Sequence, residues 1–313
     1  MKTKVTIDVE TVGTYSKLPD KKIILNDLPP RLNESSHLYG SLKEELDLTV
    51  GSSGFEDFDN ENGFDSLCDY ILENRKKGDS LKETINADFI ATPRILNALA
   101  RSAPLEIQAI RHHDVIFLFD KAFTSENIDT SIPCLEKFKQ YMTLDKNGEP
   151  RGELNEKTTK VVNRITLNSE ESLNFKVFYS SKIDVIDENG QFLELKTTTL
   201  GNKKWIEKQS LRHYLQSFLA NVPYAIYGRR PNIQEQVVQK VERIPTESIP
   251  NYQVKWNKDS CFSQLFEILQ KIDSNLEFEE EPIIVKVTKE GVICEASEEY
   301  SELVDPLFLR HFE

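Results

Sequence analysis

The stretch Ser180–Thr199, SSKIDVIDENGQFLELKTTT, contains two β-rich runs separated by Asn189-Gly190. An Asn-Gly pair between two such runs is a strong signal for a β-hairpin. A three-residue loop over Glu188–Gly190 ends in a glycine, which suits the left-handed position of a bulged turn. The stretch therefore predicts a hairpin whose register depends on whether the loop has two or three residues.

The register decides which polar side chains meet. A two-residue loop pairs Val185 with Glu194 and turns Asp184 to the other face. A three-residue loop places Asp184 opposite Glu194 and Lys182 opposite Lys196, all on one face. We expect the second register, because its loop ends in glycine at the position where glycine is needed.

Two opposed carboxylates repel each other unless a divalent cation or a proton lies between them. A neighbouring lysine can orient a water or neutralise charge that develops on a phosphate. An Asp followed on the next strand by Glu-x-Lys resembles the core of the PD-(D/E)XK nucleases. The alternative is a solvated strand face with weak charge pairs, since Glu-x-Lys on a strand is common.

The bulk properties exclude several classes of protein. The chain has 313 residues, of which 38% are hydrophobic, and no apolar run approaches the ~20 residues of a membrane span. Its start, Met1–Asp8, lacks the apolar segment of a signal peptide. The sequence predicts a soluble intracellular protein, nuclear or cytoplasmic, with no membrane association.

The net charge of −13 argues against nonspecific coating of nucleic acid, which needs a broad basic surface. Binding of a nucleic acid in a cleft with a local basic lining is compatible with this net charge. The four cysteines are far apart and form no CxxC pair, so neither a zinc site nor a disulfide framework is expected. We expect reduced thiols.

The order of helical and strand-like segments predicts an α+β protein. We expect a single domain over residues 1–313, in which helices flank a central mixed β-sheet. Residues 1–45 are expected to form an irregular or edge-strand lead-in, because turn residues interrupt their short β-like pieces. A single helix is expected over 205–219. The segment 158–165 is compatible with either a helix or a strand.

Two polar residues outside the hairpin are candidates for binding a substrate. Arg94 follows Pro93 at the start of an expected helix, where an acid would suit the helix dipole better and a phosphate would suit an arginine. Gln216 lies beside the apolar stripe of the helix over 205–219. Each also has an ordinary interpretation as a surface residue.

Taken together, four segments resemble the eukaryotic RNA 5′-end decapping and exonuclease family of DXO and its fungal Rai-type relatives. The segment 85–94, INADFIATPR, resembles the family's first motif, which contributes an arginine. Asp184 matches the last acid of a Glu-hydrophobic-Asp motif, and Glu194–Lys196 matches a Glu-hydrophobic-Lys motif. Tyr214–Leu219 resembles the family's glutamine helix. The resemblance spans residues 45 to 300 and implies a PD-(D/E)XK-like fold and metal-dependent hydrolysis at RNA 5′ ends.

The chain departs from the family at two metal-ligand positions. Leu135–Lys139 matches the second motif, but Lys139 stands where that motif carries a glutamate. Lys182 stands where the third motif begins with a glutamate. The resemblance still implies a catalytic and metal-binding set made of Asp184, Glu194, the Leu195 carbonyl and Lys196, with Arg94, Lys196 and Gln216 contacting the substrate.

Because of these two lysines, the sequence does not decide whether the site binds a metal cofactor. Two carboxylates and a carbonyl could still hold one Mg²⁺ or Mn²⁺, with Glu136 as a substitute ligand one helical turn before Lys139. Alternatively, an ammonium pairs with Asp184 and Glu194 in place of a metal, and the site has no cofactor.

We therefore predict an RNA 5′-end-binding protein of the decapping nuclease family, acting in mRNA 5′-end quality control, whose catalysis is weakened or lost. The alternative is an active metal-dependent decapping hydrolase and 5′-to-3′ exoribonuclease. A third hypothesis, which the acidic charge fits, is a scaffold that binds a protein partner and no RNA.

Overall fold

The computed structural model describes residues 4–49, 64–120, 132–145, 147–149, 157–232, 234–288, 290–297 and 304–313. Within these ranges, the strands are β1 (Val5–Lys17), β2 (Ile23–Leu25), β3 (Arg31–Leu32), β4 (Gly40–Asp47), β5 (Phe89–Ile90), β6 (Leu105–His112), β7 (Val115–Asp120), β8 (Thr143–Leu144), β9 (Thr158–Ser169), β10 (Asn174–Lys182), β11 (Val185–Ile186), β12 (Phe192–Thr198), β13 (Tyr224–Arg229), β14 (Val237–Pro245), β15 (Ile283–Val287) and β16 (Val292–Ala296).

The α-helices of the described residues are α1 (Asp65–Asn74), α2 (Leu81–Ile85), α3 (Pro93–Ala100), α4 (Ile132–Met142), α5 (Asn202–Lys208), α6 (Ser210–Leu219), α7 (Lys258–Asn275) and α8 (Pro306–Leu309). Short 3₁₀ turns lie at Ser36–Leu38, Thr246–Asn251 and Arg310–Phe312. No helix in these ranges is long and apolar enough to cross a membrane. All four cysteines are free thiols.

The strands form two mixed sheets, which confirms the predicted α+β class. The first has nine strands in the order β16-β15-β6-β7-β5-β10-β9-β1-β2, and β5 runs parallel to both of its neighbours. The second has seven strands in the order β4-β14-β13-β12-β11-β3-β8, with parallel pairs β12–β13 and β11–β3. The sequence predicted one central sheet; the strands divide between two.

Successive side chains of β10 show how the first sheet is buried on both faces. Val177 and Tyr179 pack into the cluster formed with α3, α6 and α7, whereas Phe178 packs into the cluster under α1 and α2. This alternation is the period-2 pattern of a strand covered by helices on each side.

Of the two forms expected for the lead-in over 1–45, the irregular one is wrong for most of the described length, and the strands that form there lie at or next to sheet edges. Of that segment, residues 1–3 lie outside the described ranges. β1 is a 13-residue strand that pairs antiparallel with β9 from Val5↔Ser169 to Lys17↔Thr158. Its first half alternates apolar and polar residues over Val5–Glu10, which is the pattern of a half-buried strand. The segment 158–165, which the sequence left open, is the strand that pairs with it.

The single helix expected over 205–219 is two helices. α5 ends at Lys208, and Gln209 has φ −123° and ψ −18°, outside the helical region, before α6 begins. The Ser210 hydroxyl donates to the Ile206 carbonyl at 2.5 Å, which satisfies one of the carbonyls freed at the break. The break matters because α6 is the helix that faces the candidate site.

Candidate functional site

The hairpin between β11 and β12 has the predicted register. Val185 pairs with Leu193 and Ile186 with Phe192, so Asp184 falls opposite Glu194. The loop ends at Gly190, whose φ of +78° lies in the left-handed region. The Asp187 side chain fixes the loop by accepting hydrogen bonds from the backbone N–H of Asn189 and of Gln191.

The predicted pairing of Lys182 with Lys196 is wrong. Lys182 ends β10 in the first sheet, where it lies opposite Lys160 of β9. The chain then passes at Ile183 from the first sheet to the second, so the β11–β12 ladder does not extend to Lys182. Asp184 therefore lies at the junction of the two sheets.

β12 presents its polar and apolar residues to different helices. Leu193 and Leu195 are buried in the cluster that includes Phe138 and Met142 of α4. Glu194 lies on the other face, where the buried Ser217 of α6 donates a hydrogen bond of 2.7 Å to its Oε2. Helices thus cover both faces of this strand, which makes the surroundings of its charged side chains largely dry.

α4 packs closely against this sheet because β13 carries a glycine. A Cβ built at Gly228 would lie 2.9 Å from a ring carbon of Phe138 and 3.0 Å from a methyl of Val238. Only a residue without a side chain leaves room for the Phe138 ring. This close approach positions the next residue of α4, Lys139, at the hairpin.

Lys139 holds two carboxylates together. Its Nζ lies 2.6 Å from Glu136 Oε1 and 2.9 Å from Asp184 Oδ1. The other Asp184 oxygen, Oδ2, accepts the backbone N–H of Leu195 at 2.8 Å. The three side chains are only 10–12% exposed, so this is a buried ion-pair cluster.

The charges of this cluster stabilise each other. Burial alone would raise the pKa of Asp184, but the Lys139 ammonium, the Leu195 N–H and the nearby Lys182 together hold that pKa below its usual value. Burial alone would lower the pKa of Lys139, but the charges of Asp184 and Glu136 outweigh it and raise that pKa. Both groups are therefore ionised at neutral pH.

The Glu194–Lys196 pair lies on the same strand and adjoins the cluster through Leu195. Lys196 Nζ is 3.0 Å from Glu194 Oε2, the oxygen that also accepts from Ser217. Each of the three acids described here therefore has a partner: Lys139 for Glu136 and Asp184, and Lys196 and Ser217 for Glu194.

Behind Lys196 lies a buried aromatic network that the sequence did not indicate. Tyr227, which is opposite Lys196 in the parallel register, has its hydroxyl 2.9 Å from His213 Nδ1. Trp205 Nε1 donates to the same nitrogen at 3.1 Å, so Nδ1 accepts and the proton lies on Nε2. Burial, with the charges of Lys196 and two arginines, lowers the pKa of His213 to about 3.

The other predicted substrate contacts, Arg94 and Gln216, lie on the helices α3 and α6. Arg94, in the first turn of α3, forms an ion pair of 3.1 Å with Asp120 at the end of β7. Its side chain is 52% exposed. Gln216 is half-buried on α6 and directly precedes Ser217. Ser217 itself was missed, because a serine near an apolar helix stripe carries no distinctive signal.

The donor set does not fit a divalent metal. Among the described residues, no group of three or more His, Cys, Asp and Glu side chains is placed to hold an ion. Two of the three acids here, Glu136 and Asp184, are bridged by an ammonium, and a divalent ion beside it would meet a like charge. Glu136 does lie in the site, as the substitute-ligand hypothesis requires, but as the ion-pair partner of Lys139.

Comparisons with known proteins give one consistent result. A family described as RAI1 like PD-(D/E)XK nuclease matches residues 8–301. Decapping nuclease dom-3 of Caenorhabditis elegans is 30% identical over 274 residues, which cover 78% of this chain and 69% of that protein.

Two crystal structures from yeasts have the same fold. Rai1 from Scheffersomyces stipitis superposes with a TM-score of 0.76 at 15% identity, covering 99% of this chain and 97% of that one. Rai1 from Candida albicans, solved in complex with pU5-Mn²⁺, gives a TM-score of 0.73 at 16% identity, covering 99% of this chain and 97% of that one. The family match over residues 8–301 and the similarity to dom-3 show that the chain belongs to the RAI1-like PD-(D/E)XK nucleases.

Proposed function

We propose that this protein binds RNA 5′ ends and does not hydrolyse them. One observation carries the proposal: the Lys139 ammonium lies between Glu136 of α4 and Asp184, which is the aspartate of the Asp…Glu-x-Lys arrangement. In metal-dependent hydrolysis a divalent ion supplies the charge that polarises a phosphate and the hydroxide that attacks it. A lysine ammonium supplies one positive charge and no such nucleophile.

Binding without hydrolysis is supported by a basic side chain close to the cluster. Lys182 is exposed, and its charge helps to lower the pKa of Asp184. An exposed ammonium beside the cluster can donate hydrogen bonds to a phosphate. The C. albicans Rai1 structure contains pU5, so the fold accommodates a nucleic-acid ligand in at least one relative.

The binding test compares two labelled oligoribonucleotides of one sequence, with a 5′-monophosphate or a 5′-hydroxyl, by fluorescence anisotropy in EDTA. We expect preferential binding of the 5′-phosphorylated RNA without any divalent ion. The affinity should fall with added salt, because phosphate binding releases counterions. Lys182→Ala should weaken binding and reduce the salt dependence.

Lys4→Ala is the matched control. Lys4 is an exposed lysine that directly precedes β1 and forms an ion pair with Glu170. It should bind like the parent. A protein that binds neither RNA at low salt would contradict the proposal and favour the scaffold hypothesis.

The cleavage test uses 5′-monophosphorylated and capped RNA with Mg²⁺ or Mn²⁺. The retained Asp184 and Glu194–Lys196 favour the alternative of an active decapping hydrolase and exonuclease. We expect no cleavage by the parent. Cleavage that disappears in both Asp184→Ala and Glu194→Ala would establish that alternative, and cleavage that persists in them would place the activity elsewhere.

A further inference from the structure

The outer edge of β16 has unpaired backbone groups in the described part of the chain. Thr288 and Gly291 form a bonded pair at the end of the β15–β16 hairpin, and Ser297 N–H donates to Pro282 at the other end. Because bonded and non-bonded pairs alternate in an antiparallel ladder, three residues of β16 direct their N–H and C=O groups away from β15. These residues are Val292, Cys294 and Ala296. Lys271 donates to the Val292 carbonyl and closes that end of the edge.

A cavity of about 350 Å³ opens beside the other two. It lies between the end of α7, the loop that follows it and the β15–β16 hairpin. Its apolar lining includes Ile283 and Cys294, and Phe278 is 62% exposed at its rim. Ile293, on the opposite face of β16, is 49% exposed. An open strand edge flanked by exposed apolar side chains is a template for pairing with another chain.

The cavity lining is acidic, and Lys271 lies outside it at the Val292 end of the strand edge. Three glutamates line the cavity, Glu277, Glu281 and Glu295, and no lysine, arginine or histidine does. Glu295 pairs with Lys286 at 2.7 Å. Within the described residues, Glu277 and Glu281 have no ion-pair partner. Such a surface attracts a cationic segment and repels a polyanion.

The loop that carries Glu277 and Glu281 is held in place. Arg111 donates to the Leu276 carbonyl and to Asp273 Oδ1, which fixes the end of α7. The backbone N–H of Glu280 in turn donates to the Arg111 carbonyl at 2.9 Å. A surface fixed before binding loses little conformational entropy when a ligand arrives.

We propose that the outer edge of β16 binds an extended basic segment of a partner protein, which joins the nine-stranded sheet as a further strand. Main-chain hydrogen bonds to Cys294 and Ala296 hold the segment. Its lysine or arginine side chains contact the glutamates, and its apolar side chains contact Phe278 or Ile293. A second copy of this chain fits less well, because its edge would bring the same glutamates against these. RNA is excluded by the same charge.

The probe is a fluorescein-labelled peptide in which lysine and arginine alternate with valine. A peptide with glutamate at the basic positions and a peptide with proline at alternate positions are the controls. Fluorescence anisotropy against the full chain should show binding of the first peptide alone. Hydrogen exchange should show added protection at residues 292–296 when that peptide is bound.

Two variants test the edge and the charge separately. Ala296→Pro removes an outward N–H at a sheet edge, where proline is tolerated, and should weaken binding about tenfold. Ala296→Ser keeps that N–H and should bind like the parent. Glu281→Lys should weaken binding by a similar factor, whereas Glu171→Lys, the same change in an exposed turn elsewhere, should not.

The proposal is overturned if the acidic peptide binds as well as the basic one, or if Ala296→Pro and Glu281→Lys leave binding unchanged. It is also overturned if sedimentation shows that the free chain is a dimer that Ala296→Pro dissociates, since a second copy would then occupy the edge. None of these outcomes depends on the Lys139 cluster, so they are independent of whether RNA binding is found.

Discussion

Replacing Lys139 by methionine should destabilise the protein and leave two buried carboxylates facing each other. Methionine keeps the length and packing of the side chain and removes the charge that bridges Glu136 and Asp184. Removal of one partner from a buried ion pair costs about 3–5 kcal/mol. With 313 residues, the unfolding entropy is roughly 0.66 kcal/mol/K, from ~2.1 cal/mol/K per residue. A loss of about 4 kcal/mol then lowers Tm by about 6 °C.

The pH dependence of the stability loss in Lys139→Met tests whether the Asp184 carboxylate is responsible for it. In the parent, the folded pKa of Asp184 lies below its unfolded value of 3.8, so its stabilising contribution is present above that pH and is lost as the pH falls further. In Lys139→Met, burial remains without the ammonium, so the folded pKa of Asp184 rises above its unfolded value. The variant then gains stability relative to the parent as the pH is lowered from 7 towards 4.

The assay is urea unfolding at several pH values, with Lys182→Met as the matched control. Lys182 is exposed, so its loss should change the unfolding free energy by less than about 1 kcal/mol. If Lys139→Met unfolds at the same urea concentration as Lys182→Met, or if its deficit does not narrow on acidification, Lys139 does not neutralise the site.

Three further predictions test the site and its supports. Changing both Lys139→Glu and Lys182→Glu should create a divalent-ion site, so that Mn²⁺ raises Tm in the double variant and not in the parent; an unchanged Tm would show that the pocket has diverged further. The His213 ring should show no titration by NMR between pH 7 and pH 5, because its folded pKa is about 3. The unfolded ring takes up a proton below its pKa of 6.5, so the stability of the protein falls as the pH drops towards 3. A titration midpoint near 6.5 would contradict the buried network. Gly228→Ala should cost about 1–3 kcal/mol, because its new methyl group meets the Phe138 ring; a calorimetric Tm equal to that of the parent would show that α4 can move aside.

The hairpin could be predicted from the sequence because its register depends on local chemistry. Asn189-Gly190 marks the turn, Gly190 takes the left-handed conformation, and the alternation of β12 fixes its buried face. The same local reasoning failed for Lys182, because nothing in the sequence shows that the chain changes sheets at Ile183.

The remaining site contacts depend on packing between distant elements. Lys139 bridges Asp184 because α4 approaches the sheet closely. This approach depends in turn on Gly228, some ninety residues later in the chain. The sequence alone shows only that Lys139 stands where an acid is expected. Ser217 and the Trp205–His213 pair depend on the break between α5 and α6, which the continuous apolar stripe concealed. That residues 1–313 fold as a single domain stays a prediction.

The Glu136–Lys139–Asp184 cluster also has a consequence for how this lineage can evolve. A glutamate codon and a lysine codon differ by one nucleotide, so a single mutation could restore the acid that the family resemblance places at position 139. That mutation alone would bury three carboxylates together, each unfavourable beside the others unless a metal arrives at once or Lys182 changes as well. Because that intermediate is unstable, an acid at position 139 requires a second change at the same time, either at Lys182 or in the binding of a metal.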